Sequence, residues 1–255
     1  MKYPQFTLSG QVALVTGAAR GLGRAIALAL AHAGADVALG LRDVQSDAGL
    51  VAEITKMGRK TLPLQMDMRE MQQIFGAVEK TVKEFGRIDI LVNNAGIAPE
   101  NPAEHVREED YDVTVAINLK GTFFASQAAG RIMIRQKSGK IINMSSQAGF
   151  AALPTESIYC MTKAGIAHLT KCLAVEWGKY GITVNAIAPG PFATEMPMSI
   201  LTEQQKQTFA ARTAVGRWGE PADIARAVVF LASEQASWIT GQVLDSSGGW
   251  QIAAG

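Results

Sequence analysis

Hydrophobic positions along the chain fall into two alternating rhythms. Short β-branched or apolar runs, Val12–Val15, Val37–Leu39, Thr61–Gln65, Ile88–Val92, Lys140–Asn143, Thr183–Ile187 and Gln242–Leu244, read as strands. Between them, apolar residues recur at three- and four-residue spacing over Gly21–Ala33, Val44–Met57, Met71–Phe85, Tyr111–Arg135, Ile158–Lys179 and Pro221–Ala232, which read as helices. Gly34 and Gly58 stand where two of these helices should stop. The strands are continuously apolar, so both faces of the sheet are buried. With βαβα order, that predicts an α/β Rossmann-type doubly wound parallel sheet flanked by helices. No linker or shift of composition divides the chain, so residues 1–255 read as a single domain.

Composition narrows the class. Of 255 residues, 48% are hydrophobic and 18% charged, enough apolar side chain for a large core and too little charge for disorder. The net charge is +1 with signs interspersed, which argues against a nucleic-acid or anionic-membrane partner. The longest apolar runs, Ala25–Ala31 and Ala227–Ala232, are far shorter than the ~18–20 residues of a membrane span. The start, Met1–Phe6, shows no signal-peptide core. Cys160 and Cys172 lie on one helix, about 18 Å apart along its axis, too far for a disulfide. They are expected as free thiols filling core space, in a reducing cytoplasm. His32, His105 and His168 show no metal-ligand spacing, and no metal site is expected.

Chemistry begins at Thr16-Gly17-Ala18-Ala19-Arg20-Gly21-Leu22-Gly23, between the first strand and first helix. Gly17 permits a tight turn, Gly21 lets backbone approach a phosphate, and Gly23 lets helix and strand pack closely. The helix N-terminus then presents free N–H groups to a pyrophosphate. Further on stand Asn93-Asn94-Ala95-Gly96, Asn118, Ser145-Ser146, Tyr159-Cys160-Met161-Thr162-Lys163 and Pro189-Gly190, with Ser146 thirteen residues before Tyr159. Tyr159 and Lys163 are i,i+4 and share a helix face, where an ammonium within ~4–6 Å favours a phenolate.

In this order and spacing the motifs resemble the short-chain dehydrogenase/reductase family over nearly the whole chain. The resemblance implies an oxidoreductase that interconverts an alcohol and a carbonyl, with Asn118, Ser146, Tyr159 and Lys163 as catalytic residues. In it Tyr159 is the general acid/base, Ser146 holds the substrate oxygen, and Lys163 also bonds the nicotinamide ribose. Asn118 helps hold a relay water. The thirteen-residue spacing selects Ser146 over Ser145, which is expected to bond backbone.

The implied dinucleotide site comprises Gly17, Ala19, Arg20, Gly21, Leu22, Gly23, Arg42, Asp67, Met68, Asn94, Ala95, Gly96, Tyr159, Lys163, Pro189, Gly190, Phe192 and Thr194. Leu41 occupies the family's usual acidic position, followed by Arg42 at its phosphate-binding position, and Arg20 resembles a second basic mark. These favour NADP(H), with NAD(H) possible and Asp43 a counterweight that could pair with Arg42. Asp67 could accept from the adenine amino group or cap the following helix.

Substrate contacts are expected from loops 97–101, 147–155 and 191–212, the last as a lid around 191–213 carrying Met196, Met198, Phe209 and Arg212. Arg212 could meet a substrate carboxylate or face solvent. Ala174-Val175-Glu176-Trp177, Gly216-Arg217-Trp218-Gly219-Glu220-Pro221 and Gly248-Gly249-Trp250 look similar to gluconate and deoxygluconate dehydrogenases. They suggest a sugar acid, polyol or related ketone as substrate. The alternative is 3-oxoacyl-[acyl-carrier-protein] reductase, although Val175 stands where that branch usually carries a docking Arg and Ala98-Pro99-Glu100 replaces its Arg-Asp-Asn. Arg131 could still supply a docking charge. A non-catalytic dinucleotide-binding protein is a third reading, against which the intact Ser146, Tyr159, Lys163 and Asn118 argue. The family commonly pairs its long helices into homotetramers. Ile166, Leu169, Leu173 and Trp177, with the uncharged end 248–255, are the expected apolar contributors.

Overall fold

The computed structural model describes residues 6–46, 48–194, 198–199 and 201–250. Seven parallel strands form one sheet: β1 (Val12–Thr16), β2 (Asp36–Leu41), β3 (Thr61–Gln65), β4 (Ile90–Asn93), β5 (Gly139–Met144), β6 (Ile182–Pro189) and β7 (Val243–Ser246), in the order 3-2-1-4-5-6-7. The helices are α1 (Gly21–His32), α2 (Ala48–Lys56), α3 (Met71–Phe85), α4 (Glu108–Val115), α5 (Thr122–Gln136), α6 (Ser157–Trp177), α7 (Glu203–Ala211) and α8 (Pro221–Ala232). This is the expected doubly wound arrangement.

Strand residues divide between two cores because successive side chains point to opposite faces. Ala13, Val15, Val37 and Leu39 pack against α1, α2 and α8; Leu14, Ala38, Leu91 and Ile141 pack against α3, α5 and α6. Pro63, which cannot donate to a ladder, sits on edge strand β3, where one side of the strand needs no partner. Strand order reverses between β1 and β4. Ligands of open α/β sheets bind in the crevice at the carboxyl ends of the strands beside such a reversal.

Several boundaries differ from the pattern. The helix expected from Val44 begins at Ala48, because Asp43 holds the preceding residues in a turn: its Oδ1 accepts from Gln45 N at 2.9 Å and its carbonyl from Ser46 Oγ at 2.6 Å. The long helix expected over Tyr111–Arg135 starts at Glu108 and widens into a π turn over Ala116–Gly121 before α5. The helix expected over Ile158–Lys179 ends at Trp177, followed by a 3-10 turn over Gly178–Tyr180. The last strand lies two residues beyond the expected end, reaching Ser246.

The cysteines are free, but neither fills the core. Cys160 is half-buried and Cys172 exposed, because α6 turns its Ile166–Leu173 face to the sheet and leaves position 172 outside. Ile166 and Leu173 are likewise buried in the protomer's own core, and Trp177 packs on Gly130 of α5. The apolar residues that α6 leaves exposed are Met161 and Val175.

Candidate active site

The glycine-rich turn is held by side chains from the end of β4. Thr16 Oγ1, fully buried, accepts from the backbone N–H of Asn94 and of Ala95, each at 3.0 Å. Asn94 Nδ2 donates to the carbonyls of Thr16 and Gly17 at 3.0 and 3.1 Å. The turn tolerates no added carbon: a Cβ at Gly23 would lie 2.2 Å from the Gly17 carbonyl oxygen, and one at Gly17, where φ is +65°, 2.9 Å from Ala95 Cα.

Gly21 differs. A Cβ there would meet nothing closer than Thr194 at 3.7 Å, so its outer side is open. Arg20 caps α1 without any side-chain hydrogen bond, leaving the first-turn N–H groups directed outward. An open glycine beside free N–H donors fits a pyrophosphate. Ala19 and Leu22 flank this opening and are only partly buried.

Leu41 points into the core and Arg42 into solvent. Asp43 does not pair with Arg42; it is occupied in its own turn. Among the described residues neither Arg20 nor Arg42 has a carboxylate partner, so both guanidiniums are available to a 2′-phosphate.

Asp67 does not cap α3; Glu70 occupies that position. Its nearly buried carboxylate instead takes a bidentate pair from Arg69 (Nη2 to Oδ2 at 2.6 Å) together with the Arg69 backbone N–H. That pair holds the carboxyl below its ordinary range, with Arg42 adding to the effect. Met68, beside it, is gripped by Gly121, where a Cβ would lie 2.8 Å from the Met68 carbonyl oxygen. The π turn is thereby pressed against the β3–α3 connection.

The π turn carries Asn118, whose amide is fully committed. Oδ1 accepts from Ile97 N at 2.9 Å, and Nδ2 donates to Ile97 O at 2.8 Å and Thr162 Oγ1 at 3.1 Å. The side chain thus ties the β4 loop to α6. Its backbone carbonyl accepts from Thr122 Oγ1 at 2.7 Å. A Cβ at Gly96 would lie 3.3 Å from Asn118 Oδ1 and 3.5 Å from Lys163 Nζ, so these two groups converge there.

Lys163 is buried and its Nζ donates to the Met144 carbonyl at 2.7 Å. Burial pushes its pKa down to about 8. The ammonium lies 5.5 Å from the Tyr159 ring centroid. The phenol of Tyr159 stands above its ordinary value. Burial is the main cause; the Ser146 hydroxyl, hydrogen-bonding with it, works the other way, and the Glu156 and Cys160 side chains push further up. In this structure desolvation therefore outweighs the help expected from Lys163.

Ser146 is positioned by a tight 3-10 turn over Gln147–Gly149, its Oγ accepting from Ala148 N at 3.1 Å. Gly149 makes the turn possible, since a Cβ there would lie 3.0 Å from Lys163 backbone. Ser145 bonds backbone as expected, Oγ to the Lys163 carbonyl at 2.9 Å.

At the carboxyl end of β6, Pro189 is buried and Gly190 lies against Ser247. Phe192, read as a cofactor contact, spends its ring on Gly219, where a Cβ would lie 2.5 Å away. Thr194 stands over Gly21; Met196 lies outside the described residues. Arg217 pairs with Asp223 at 2.9 Å, and Trp218 Nε1 donates to the Lys206 carbonyl at 2.8 Å. Arg217 and Trp218, read as sugar-acid marks, thus tie α7 and α8 to their connecting segment. His32, His105 and His168 are exposed, and no metal-binding cluster occurs among the described residues.

Three contributors escaped the sequence reading: Thr16, Thr162 and Glu156. The first two are ordinary threonines whose roles exist only in three dimensions. Glu156 left a signal, being three residues before Tyr159 and so on its helix face. It is half-buried, and a backbone bond from Asn101 N to Thr155 O at 2.8 Å stitches the two loops that carry Glu100 and Glu156. Burial and the Glu100 charge raise the Glu156 pKa.

The family model described as enoyl-(acyl carrier protein) reductase matches residues 17–251. The chain belongs to the short-chain dehydrogenase/reductase family. It is 40% identical over 245 residues to the 3-oxoacyl-[acyl-carrier-protein] reductase FabG of Thermotoga maritima, covering 96% of this chain and 99% of that protein. It is 39% identical over 247 residues to the 2-dehydro-3-deoxy-D-gluconate 5-dehydrogenase of Escherichia coli, covering 96% and 97%. The crystal structure of a gluconate 5-dehydrogenase from Burkholderia cenocepacia, in complex with NADP and tartrate, superposes with a TM-score of 0.93 at 35% identity, covering 98% of each chain.

Proposed function

We propose that the protein is an NADP(H)-dependent oxidoreductase interconverting an alcohol and a carbonyl on a sugar acid, polyol or related ketone. The observation that carries this reading is the meeting of Ser146, Tyr159 and Lys163 beside the open glycine turn. When bound, the nicotinamide supplies or accepts the hydride. The chain's own residues handle the oxygen and its proton. In the reducing direction the Tyr159 phenol gives its proton to the substrate oxygen, and the Ser146 hydroxyl donates a hydrogen bond to the same oxygen as negative charge develops. Lys163, its ammonium near the Tyr159 ring, stabilises the resulting phenolate and would hold the ribose of a bound dinucleotide, and Asn118 would help hold a water that returns the proton.

Arg42 and Arg20 support NADP(H) over NAD(H), as do NADP-bound relatives such as the Burkholderia enzyme, whose tartrate is a polyhydroxylated acid. The carrier-protein reductase reading stands second, favoured by the similarity to FabG. Against it, Val175 is 84% exposed at the docking position and offers an acidic partner nothing. Exposed Met161 and Val175 on α6 and Phe123 on α5 support a homotetramer, and the two free thiols a cytoplasmic location. No helix among the described residues is long and apolar enough to cross a membrane.

A turnover screen with NADPH and NADP across ketoses, keto-acids, polyols, aromatic ketones and acetoacetyl thioesters tests the reading. The best kcat/KM is expected on a polyhydroxylated compound. An acetoacetyl thioester turned over a hundredfold more efficiently would establish the carrier-protein alternative instead.

A further inference from the structure

The segment 191–220 carries three cations: Lys206, Arg212 and Arg217. Two are neutralised within the fold, Lys206 by Glu203 at 2.7 Å and Arg217 by Asp223 at 2.9 Å. Arg212 has no carboxylate partner among the described residues. Its guanidinium instead lies over the Trp250 ring, 4.4 Å from the centroid.

That placement is built rather than incidental. Trp250 is buried, 8% exposed, and stacks on Phe209 at 5.6 Å with 16° between the rings. Phe209 also packs on Trp218 at 5.4 Å, and Trp218 is tied to Lys206 of α7. Arg212 itself caps the C-terminus of α7. A guanidinium stacked on an aromatic face spends that face on the ring and keeps its edge N–H groups in plane, the geometry that a carboxylate accepts bidentately. Stacking also restricts a long side chain in advance, reducing the ordering cost of binding.

Arg212 is exposed, and its stacking partner connects to the carboxyl end of β6. Trp250 N donates to Ser247 Oγ at 3.1 Å, and Ser247 lies against Gly190 at the carboxyl end of β6, where a Cβ would be 2.7 Å from Ser247 Cα. Glu156 acts electrostatically on Tyr159, and Glu100 on Glu156, so negative charge gathers near the phenol and disfavours a carboxylate there. A polyhydroxylated acid is thus oriented with its carboxylate toward the lid and its carbinol or carbonyl toward Tyr159.

We propose that Arg212, held flat on Trp250, anchors the carboxylate of the substrate and sets the preference for acids over neutral polyols. The proposal rests on the oxidoreductase reading for the word substrate, but binding tests it separately. The test is calorimetric titration of the NADP-saturated protein with D-gluconate and with D-glucitol, which has a neutral –CH2OH in place of the carboxylate, for the wild type, Arg212→Leu and Arg212→Lys. The wild type is expected to bind gluconate about 10- to 100-fold more tightly than glucitol, from a charge-assisted bidentate contact. Arg212→Leu should lose that advantage with glucitol affinity unchanged, and Arg212→Lys should recover part of it. Equal affinities in the wild type, or equal losses for both ligands in Arg212→Leu, would overturn the proposal and make Arg212 only a staple of the lid. If gluconate binds through Arg212 while only an acetoacetyl thioester is turned over, the functional reading fails and the carboxylate site stands. If polyhydroxylated compounds are turned over but gluconate binding ignores Arg212, this inference alone fails.

Discussion

The carboxyl ends of β4 and β5 with the start of α6, and residues 201–220, lie toward the same end of the sheet but are held by different forces. The first region is a buried polar lattice. Thr16, Asn94, Asn118, Thr162, Ser145 and Lys163 each spend hydrogen bonds on backbone or on one another, Gly23 sits where no Cβ fits, and Gly96 and Gly149 are closely packed. The second is a surface layer, pinned by the Phe209–Trp218–Trp250 rings, exposed ion pairs and one buried-side indole bond. Buried networks fix geometry because breaking one member strands the others. Exposed pairs and ring contacts contribute less each and let a segment move. The lattice is suited to placing a proton donor, and the outer layer to choosing what reaches it.

The comparison breaks first if the two serines exchange roles. Ser146→Ala removes the donor to the developing charge and should lower kcat by about 10²- to 10³-fold, at a cost of about 1 kcal/mol for the lost bond from Ala148 N. Ser145→Ala removes one hydrogen bond to the Lys163 carbonyl and should cost stability, about 0.5–1.5 kcal/mol, more than rate. Steady-state kinetics beside thermal melts separate them.

Next is the charge buried in the lattice. Lys163 has its pKa depressed from 10.5 to about 8, so between these values the unfolded chain holds the extra proton. Stability then rises with pH through that window, and the full burial cost persists below pH 8. Between pH 7.5 and 9.5 the wild type should gain roughly 2 kcal/mol more stability than Lys163→Met, measured by urea unfolding at both values. An identical pH slope in the two proteins would show that the ammonium is not desolvated.

Arg42→Ala probes the rim. Loss of a charge-assisted phosphate contact should weaken NADPH by about 10- to 150-fold and leave NADH unchanged. Equal losses would mean that Arg42 recognises something other than the 2′-phosphate.

The smallest effect belongs to the outer layer. Trp218→Phe keeps the ring contact but removes the indole bond to Lys206, so about 1 kcal/mol should be lost locally. The expected signs are faster hydrogen exchange in α7 and a raised KM, with kcat of the chemical step unchanged.

The lattice was also the more legible region in sequence. Gly17, Gly21 and Gly23 announce a turn because only glycine tolerates those positions, and the Ser146–Tyr159–Lys163 spacing follows a strand and a helix. The rest was hidden where partners are remote or the signal is backbone. Residues 116–121 keep helical periodicity, so nothing marks the π turn that commits Asn118 to Ile97 and Thr162. Asp67 reads as a cap until Arg69, two residues on, is seen to occupy it. Cys172 reads as core until the face of α6 is known. Trp177 and Trp218 read as marks of a substrate, whereas one packs on Gly130 and the other holds α7.

On the proposed function, the lattice places one proton-donating oxygen, Tyr159 Oη. Tyr159→Phe removes only that atom and keeps the ring packing, so its melting curve should match the wild type. Single-turnover reduction of the best substrate with saturating NADPH isolates the chemical step, which the account predicts to slow by about 10²- to 10⁴-fold. A folded Tyr159→Phe protein that binds NADPH normally and reduces substrate at the wild-type single-turnover rate would contradict it.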